Sequence, residues 1–305
     1  MIGIGHLGIG GMGSLRLDRF RKGGDARSVI AWSRSEKTLA NYKGGETTTD
    51  WRVALDHPAV EAVCIATPTS VHYELASAAL EAGKHVLVEG PAVQGTEDFD
   101  RLVETARRNR RVFYCGSDYR FLEPCRAAEL AVPYIGQVLR AQMDSSWRPA
   151  EGTWYYDQAV SGGVFLCVHI FPFTFLHLLG APRWVDATLG DRGRYGVAHV
   201  GYDSGASGIA TGGYRDQATD EVLIIGTEGV MRREAGGKYV VARGDNTEEL
   251  PLPPLDSVVE DNAGFLRCIR GEEDWESHLP RERAAHAAAV AARESASQAV
   301  RVEIF

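Results

Sequence analysis

The first 120 residues alternate between short apolar runs and longer amphipathic segments. Residues 60–66 form a nearly continuous apolar run, which is typical of a strand covered on both faces. In residues 71–82 the apolar positions recur at helical spacing and stop at Gly83. The same alternation predicts strands at 2–7, 28–32, 60–66, 85–89 and 112–115, and helices at 12–20, 35–42, 71–82 and 96–108. Strands that alternate with helices indicate an α/β domain with a parallel, doubly wound sheet.

The pattern changes after about residue 120. A long strand is predicted at 137–147 and a buried helix at 164–179. Strands without intervening helices follow, at 184–189, 198–203, 208–214, 221–225, 229–233 and 239–241, and two helices end the chain at 258–270 and 280–297. We therefore predict an α/β domain over 1–120 and an α+β domain with a mostly antiparallel open sheet over 121–305. The last helix and the tail are expected to be able to pack back on the first domain.

Composition and charge narrow the class of protein. The chain has 305 residues, 44% of them apolar and 24% charged, as in soluble globular proteins. A net charge of −8 argues against bulk attraction to nucleic acid or anionic lipid. The apolar stretch at 164–179 is too short and too interrupted to span a bilayer. With no secretory leader at the start of the sequence, we expect a cytoplasmic protein with a small-molecule substrate and neither nucleic acid nor membrane as partner.

Five cysteines and no C-x-x-C pair give no sign of a disulfide framework or a metal site. Cys64 and Cys115 lie in apolar strand-like runs, so we interpret them as small core residues. We expect no bound metal.

A glycine loop follows the first predicted strand and opens the first predicted helix. Gly8, Gly10, Gly11, Met12 and Gly13 belong to a G-x-G-x-x-G string in that context, which is the one that indicates dinucleotide binding. The first glycine allows a tight turn, the second removes a Cβ so that a pyrophosphate can approach the backbone, and the third lets helix and strand pack closely. The alternative is an ordinary strand–turn–helix.

The end of the second strand bears on which dinucleotide is bound. A carboxylate there would hold the ribose diol of NAD(H). The sequence instead has Ser33, Arg34 and Ser35, with Lys37 nearby. A guanidinium can hydrogen-bond a 2′-phosphate and lie on the adenine, and the serines add neutral donors. We therefore expect NADP(H) rather than NAD(H); the alternative is a solvated polar turn.

With these elements in order, the sequence resembles the glucose–fructose oxidoreductase/inositol dehydrogenase (Gfo/Idh/MocA) family over nearly its whole length. The strings that carry the resemblance are Ala66-Thr67-Pro68-Thr69-Ser70-Val71-His72, Ala82-Gly83-Lys84-His85-Val86-Leu87-Val88-Glu89-Gly90-Pro91, Tyr119-Arg120-Phe121, Ser161-Gly162-Gly163 with His169, and Ile224-Ile225-Gly226-Thr227-Glu228-Gly229.

The resemblance implies a Rossmann domain and a second α/β domain whose open sheet often mediates oligomerisation. It implies reversible hydride transfer, commonly on sugars or polyols. Residues at the cofactor would be Ala66, Thr67, Pro68, His72, Glu89, Gly90 and Arg120, with Glu89 near the nicotinamide ribose. We expect a homodimer or homotetramer through the second sheet.

Two departures from the family pattern concern catalysis. The family's string after the fifth strand is Glu-Lys-Pro, and its lysine takes part in catalysis, whereas this chain has Gly90. The family also has an aspartate four residues before the catalytic histidine and another three after it. Around His169 those positions are Phe165 and Pro172. Without a charge partner or hydrogen bond from an aspartate, the histidine loses groups that would orient it or raise its pKa.

Candidate proton donors remain in the second half. His169, Tyr155 and Tyr156 are the predicted catalytic residues, and Tyr119 and Asp118 are further candidates. His169 lies in an apolar helical segment, where a histidine is often a packing residue. The aromatic residues nearby indicate a pocket less charged than that of a sugar dehydrogenase, although several of them could simply fill the core.

Three functions are compatible with these residues. The first is an NADP(H)-dependent oxidoreductase that acts on a fairly apolar carbonyl, imine or conjugated double bond, acceptors that depend less on a strong paired acid. Biliverdin reductases, a branch of the same superfamily, also lack the lysine. The second is a sugar or polyol dehydrogenase with rearranged acid–base groups. The third is a non-catalytic NADP-binding regulator, because loss of catalytic groups with an intact glycine loop is typical of one.

Overall fold

The computed structural model describes residues 1–216 and 221–304, which form two compact units. The first unit comprises Met1–Asp118 and Asp256–Pro280; the second comprises Tyr119–Leu255 and the described residues from Arg281 onward. The change of unit at Asp118 lies two residues before the boundary expected from the sequence. The return of 256–280 to the first unit is a feature that the hydrophobic pattern does not predict.

The first unit contains a six-stranded sheet in the order β3-β2-β1-β4-β5-β6, with every neighbouring pair parallel. The strands are β1 Ile2–Leu7, β2 Ala26–Trp32, β3 Glu46–Thr48, β4 Ala62–Ile65, β5 His85–Glu89 and β6 Phe113–Gly116. All residues of β1 and β4 are buried. Strands covered on both faces read as continuous apolar runs, so the prediction of a doubly wound parallel sheet is confirmed.

Helices of the first unit cover both faces of this sheet. They are α1 Gly11–Gly23, α2 Glu36–Leu39, α3 Trp51–Asp56, α4 His72–Glu81, α5 Thr96–Asn109 and α10 Ser257–Arg270. One apolar cluster joins Val86 and Val88 to α4 and α5, and another joins Leu87 to Phe20 and to Phe265 of α10. Alternate residues of β5 therefore face the two helical layers. Because all six strands are parallel, their carboxyl ends lie along one edge of the sheet.

The second unit is built on a nine-stranded sheet in the order β14-β13-β12-β11-β7-β10-β9-β8-β15. Its strands are β7 Val138–Ser146, β8 Pro182–Gly190, β9 Tyr195–Tyr202, β10 Ser207–Gly213, β11 Val222–Gly226, β12 Val230–Arg233, β13 Tyr239–Arg243, β14 Asn246–Glu249 and β15 Val302–Glu303. Only β7 and β10 pair in parallel. The prediction of a mostly antiparallel sheet in an α+β unit is confirmed.

Helices cover one face of the nine-stranded sheet. They are α6 Glu123–Ile135, α7 Gln158–Ser161, α8 Val164–Cys167, α9 Ile170–Leu176 and α11 Leu279–Gln298. Ala285, Ala288 and Ala292 of α11 belong to the apolar cluster on this sheet, and Ser295 of α11 accepts a hydrogen bond from the N–H of Ala187 in β8. Small side chains on the buried stripe let this long helix lie close to its neighbours.

One sequence prediction about the second half is wrong. The single helix expected at 164–179 is divided, because α8 ends at Cys167 and α9 begins at Ile170. Pro172 has no N–H to donate to the carbonyl of Val168, which disfavours a continuous helix at this point. The last helix and the tail belong to the second unit, where β15 pairs with β8. It is the preceding helix, α10, that belongs to the first unit.

All five cysteines are buried and carry free thiols. None of the described helices is both long enough and apolar enough to cross a membrane.

Candidate functional site

The glycine loop has the backbone that its sequence predicts. Gly8 has a φ of +98°, and a Cβ there would lie 2.5 Å from the carbonyl oxygen of Ala66. A Cβ on Gly13 would collide with the carbonyl of Gly8, so helix α1 and the loop pack without side chains between them. A Cβ on Gly10 would meet nothing within 4 Å. The N-terminus of α1 therefore faces an open cradle, which suits a pyrophosphate.

Carboxyl-terminal to β2, the serines are used by the local backbone. The hydroxyl oxygen of Ser33 accepts a hydrogen bond from the N–H of Ser35 at 3.2 Å, and that of Ser35 accepts from the N–H of Thr38 at 3.3 Å, capping α2. Arg34 between them is exposed, and its side chain has no partner among the residues that the structure describes. One guanidinium is thus available at the position where NAD-specific folds carry a carboxylate. Glu36 follows in the first turn of α2.

His72 joins the loops that follow β4 and β5. Its Nε2 lies 2.8 Å from the carbonyl oxygen of Thr67 and its Nδ1 3.1 Å from that of Pro91. Burial lowers the pKa of this histidine, and only 2% of it is exposed. The ring is enclosed by protein and holds the backbone of residues 66–68, which includes Ala66 and Pro68. The roles of these residues at a cofactor stay predictions.

The end of β5 carries a buried ionic cluster. Arg16 of α1 is fully buried and its Nε donates to Glu89. Its NH2 lies 2.8 Å from Asp261 Oδ2, and its NH1 donates to Asn262 Oδ1 at 2.8 Å. The amide of Asn262 in turn donates to the carbonyl oxygen of Arg16, and Tyr114 donates to Asp261. One guanidinium therefore connects the glycine-loop helix, the end of β5 and α10.

Two carboxylates share this one cation. Burial lowers the pKa of Arg16, but the charges of Glu89 and Asp261 raise it by more than burial lowers it, so the guanidinium stays charged. Burial raises the pKa of Glu89 to about 7, with Arg16 opposing the shift and the charges of Asp118 and Asp261 adding to it. The Glu89 side chain is 13% exposed, whereas that of Asp261 is wholly enclosed. Glu89 is thus the member of the cluster that reaches the surface beside the strand ends.

Gly90 follows Glu89 directly. Its N–H donates to the carbonyl of Gly116 at 2.9 Å, and the bond between Gly90 and Pro91 is cis. This position offers backbone alone, with no side chain for proton transfer. Arg120, the remaining residue expected at the cofactor, belongs to the second unit, where it is 8% exposed and lies over the ring of Phe121.

In the second unit, His169 is completely enclosed. Its Nε2 donates to the carbonyl oxygen of Gly212 at 3.1 Å, and the ring of Phe165 meets it edge-on at a centroid distance of 4.9 Å. Burial lowers the pKa of His169 to about 4, so the ring is neutral at pH 7 and its one N–H proton is committed to Gly212. Its Nδ1 is buried without a partner among residues 1–216 and 221–304. The geometry supports the packing interpretation; a catalytic role stays a prediction.

The tyrosine candidates are partly exposed. Tyr156 uses its hydroxyl to donate to the carbonyl of Pro149 at 3.0 Å. The Tyr155 ring stacks on Trp154 at a centroid distance of 3.9 Å and meets Trp147 edge-on at 4.7 Å. Both tyrosines pack against the core of the second unit. The catalytic roles of Tyr155, Tyr156 and His169 stay predictions.

Phe171, two residues beyond His169, faces a different environment. Its ring stacks on Tyr119 with centroids 5.1 Å apart and planes 21° apart. It also lines a cavity at the start of α6 together with Phe121. His169, directly before α9, is thus buried, whereas Phe171 within α9 lines a cavity.

One group of potential metal ligands occurs in the part of the chain that the structure describes. Cys268, Glu273 and His278 have ligand atoms within 4.8 Å of one another. The Glu273 carboxylate accepts from Arg267 Nε at 2.9 Å and lies 2.6 Å from His278 Nε2. These charges account for the arrangement as an ion-pair network.

Comparison with known proteins assigns the family. Residues 2–117 match the model described as the oxidoreductase family with an NAD-binding Rossmann fold, and residues 132–232 match the GFO/IDH/MocA C-terminal domain. This chain belongs to the Gfo/Idh/MocA oxidoreductase family. The first unit is accordingly an NAD(P)-binding Rossmann fold, and the role of the glycine cradle as its dinucleotide-binding loop stays a prediction.

Individual family members resemble this chain to different extents. It is 29% identical over 279 residues to dTDP-3,4-didehydro-2,6-dideoxy-alpha-D-glucose 3-reductase of Streptomyces violaceoruber, covering 80% of this chain and 77% of that protein. A levoglucosan dehydrogenase structure with NADH and levoglucosan has a TM-score of 0.85 at 18% identity, covering 99% of each chain. The Synechocystis sp. PCC 6803 biliverdin reductase with biliverdin and NADP⁺ has a TM-score of 0.84 at 20% identity, covering 97% and 99%. Three other curated relatives match over only 28% to 47% of their own lengths.

Sequence reasoning missed Arg16, which donates to Glu89, and Asp261, which pairs with Arg16. A signal for Arg16 exists, because it lies on the same stripe of α1 as Gly13, Leu17 and Phe20, all of them buried. A charged residue at the core spacing of a helix indicates a buried partner. Asp261 has no such signal, since nothing in the pattern of 258–270 assigns that helix to the first unit.

Proposed function

We propose that this protein uses NADP(H), in preference to NAD(H), to reduce or oxidise a small, fairly apolar carbonyl, imine or conjugated compound. The observation that carries the cofactor proposal is Arg34, an exposed guanidinium at the carboxyl end of β2 that has no partner among the described residues. Hydrogen bonds between arginine and phosphate are charge-assisted and bidentate. A 2′-phosphate therefore gains binding free energy from Arg34 that an uncharged ribose diol does not.

The proposal for the acceptor rests on what stands at the end of β5. When bound, the cofactor supplies or accepts a hydride, and a proton must move in the same reaction. Gly90 offers no side chain for that proton, and the N–H of His169 is committed to Gly212. Hydride addition to an iminium or conjugated acceptor depends less on a strong acid than oxidation of an alcohol depends on a base. We keep Tyr155 and Tyr156 as candidate proton donors, with His169 as the third.

The cofactor preference is tested by measuring dissociation constants for NADPH and NADH by fluorescence titration. Arg34→Ala should weaken NADPH binding by about 1.5–3 kcal/mol, roughly tenfold to a hundredfold, and leave NADH binding almost unchanged. Arg27→Ala is the matched control, because Arg27 is exposed at the opposite end of the same strand. Equal affinities of the unaltered protein for the two cofactors would refute the NADP(H) proposal.

Turnover on a panel of ketones, imines, enones, sugars and inositols tests the acceptor class. Relatives named as inositol dehydrogenases favour the second candidate, a sugar or polyol dehydrogenase with rearranged acid–base groups. Activity on sugars or inositols alone would establish that candidate and overturn ours. Tight NADPH binding without turnover of any compound would favour a non-catalytic NADP-binding regulator, which the enclosed His169 and the missing lysine also fit.

We further propose a cytoplasmic homodimer or homotetramer formed through the face of the nine-stranded sheet that lacks helices. The pairing of β7, β9, β10 and β11 places Val197, Ile209 and Ile225 on that face, and none of them is buried. Apolar residues on an open sheet mark interfaces. Light scattering should give two or four times 33.2 kDa, and Ile209→Asp should lower that mass. A monomer at micromolar concentration would refute this assembly.

A further inference from the structure

A cavity of about 320 Å³ opens in the second unit at the start of α6. Its walls come from that helix, from α9 and from the strand ends of β7, β11, β12 and β13. Clefts of this size accommodate one small molecule. The chemistry of the wall residues determines which kind of molecule fits.

Most of the wall is apolar and much of it is aromatic. Phe121, Phe171 and Tyr239 contribute rings, and Met143 contributes a thioether from β7. Phe171 is supported from behind by the stacked ring of Tyr119. A flat, supported aromatic surface favours a planar unsaturated ligand, whose ring can stack or meet an edge.

The charged groups on the wall are two guanidiniums and one carboxylate. Arg126 is half-buried and anchored by a hydrogen bond from its NH2 to the carbonyl of Pro253 at 2.8 Å. Arg233 is half-buried too, with its guanidinium 5.9 Å from the centroid of the Tyr239 ring. The carboxylate, Glu123, is exposed to water, which screens it more than the arginines. The less solvated part of the wall is therefore positive.

We propose that this cavity binds a small planar aromatic or conjugated carboxylate. Its unsaturated body packs on Phe121 and Phe171, and its carboxylate pairs with Arg126. Arginine matches a carboxylate with two parallel hydrogen bonds. A sugar or inositol fits poorly, because an apolar wall leaves most of its hydroxyls without partners.

Binding at this cavity is independent of any redox reaction and is measured without turnover. The assignment of such a carboxylate as the substrate rests on the proposed function. A bound carboxylate that is never reduced would leave the cavity assignment standing and count against the proposed activity. Reduction of conjugated compounds without any carboxylate preference would do the reverse.

The test uses the full chain and four defined probes in calorimetric titration. They are trans-cinnamate, the neutral cinnamyl alcohol, the saturated cyclohexanecarboxylate and the polyol myo-inositol. Cinnamate should bind at least about tenfold more tightly than each of the other three, since only cinnamate offers both the planar body and the charge. Equal binding of the two carboxylates would overturn the aromatic part of the proposal, and equal binding of cinnamate and its alcohol would overturn the anionic part.

Variants locate the site. Arg126→Gln should weaken cinnamate binding about tenfold and leave cinnamyl alcohol binding unchanged. Arg243→Gln is the matched control, because Arg243 is an exposed arginine of β13 that does not line the cavity. Phe171→Leu keeps an apolar side chain on α9 and should weaken both probes. Melting temperatures verify that each variant is folded. Cinnamate binding unaffected by both Arg126→Gln and Phe171→Leu, or no cinnamate binding at all, would overturn the proposal.

Discussion

Arg16 in the first unit and His169 in the second are both fully buried basic side chains, yet they differ in charge. Arg16 has each guanidinium nitrogen beside an oxygen of Glu89, Asp261 or Asn262, and it stays ionised. His169 has one carbonyl as its partner and an aromatic ring beside it, and it stays neutral. A buried base is tolerated either by bringing countercharges into the interior or by giving up its own charge.

The two sites differ in whether a buried charge is stable near neutral pH. Around Arg16 two carboxylates compete for one cation, so protonation of Glu89 changes the local charge near pH 7. Around His169 burial favours the neutral form over the same pH range, although the hydrogen bond to the carbonyl of Gly212 and the charge of Asp144 raise the pKa. The partners of Arg16 therefore stabilise a buried charge, whereas burial around His169 removes it.

Removal of the cation should have the largest effect. Arg16→Met leaves Glu89 and Asp261 buried without a countercharge, and we expect a loss of about 3–5 kcal/mol in the free energy of unfolding. Urea denaturation monitored by circular dichroism measures it. Arg19→Met is the control, because Arg19 forms partly exposed ion pairs with Asp18 and Asp256, which solvent screens, so its loss should cost much less. Similar losses for the two variants would mean that the cluster does not differ energetically from a surface pair.

Acid should act on the histidine. Because the pKa of His169 is lowered from 6.5 to about 4, the folded protein binds fewer protons than the unfolded chain between these values. Its stabilising contribution is complete above pH 6.5 and falls by about 3 kcal/mol as the pH approaches 4. His169→Gln keeps a donor for Gly212 without a titrating ring, so its unfolding free energy should decline less between pH 6.5 and 4.

The exposed His199 of β9 supplies the matched control for that measurement. His199→Gln should retain the acid sensitivity of the unaltered protein. If His169→Gln retained it as well, the neutral buried state assigned to His169 would be wrong. The same variant separates the two roles of this residue, since a packing residue changes melting temperature and a proton donor changes turnover.

Glu89 should show the opposite pH dependence. Burial raises the pKa of Glu89 from 4.5 to about 7, so its contribution to stability is complete below pH 4.5 and is lost as the pH rises through 7. Glu89→Gln does not titrate, and its stability relative to the unaltered protein should improve by about 1–3 kcal/mol between pH 4.5 and 8. Unfolding free energies at pH 5 and 8 decide this, and a difference that does not change with pH would contradict it.

The parts of the fold that the sequence predicted are those where pattern and local backbone agree. Strands β1, β4 and β5 are apolar runs bounded by turns, and the glycine loop needs the positive φ of Gly8. Helix α6 was missed because Pro133 lies inside it and its alanines give a weak stripe. The short β3 and α3 lie in a polar stretch where neither period is evident.

The sequence by itself determined the alternation of strands and helices in the first unit and the glycine loop. These follow from local periodicity and from glycine's conformational freedom, which are properties of neighbours along the chain. Only the tertiary structure decided that Arg16 meets Glu89 and Asp261, that His169 is neutral, and that Phe171 lines the cavity. Charge states depend on burial and on partners far apart in the sequence, 73 residues for Arg16 and Glu89 and 43 residues for His169 and Gly212, and chain spacing does not encode such proximity.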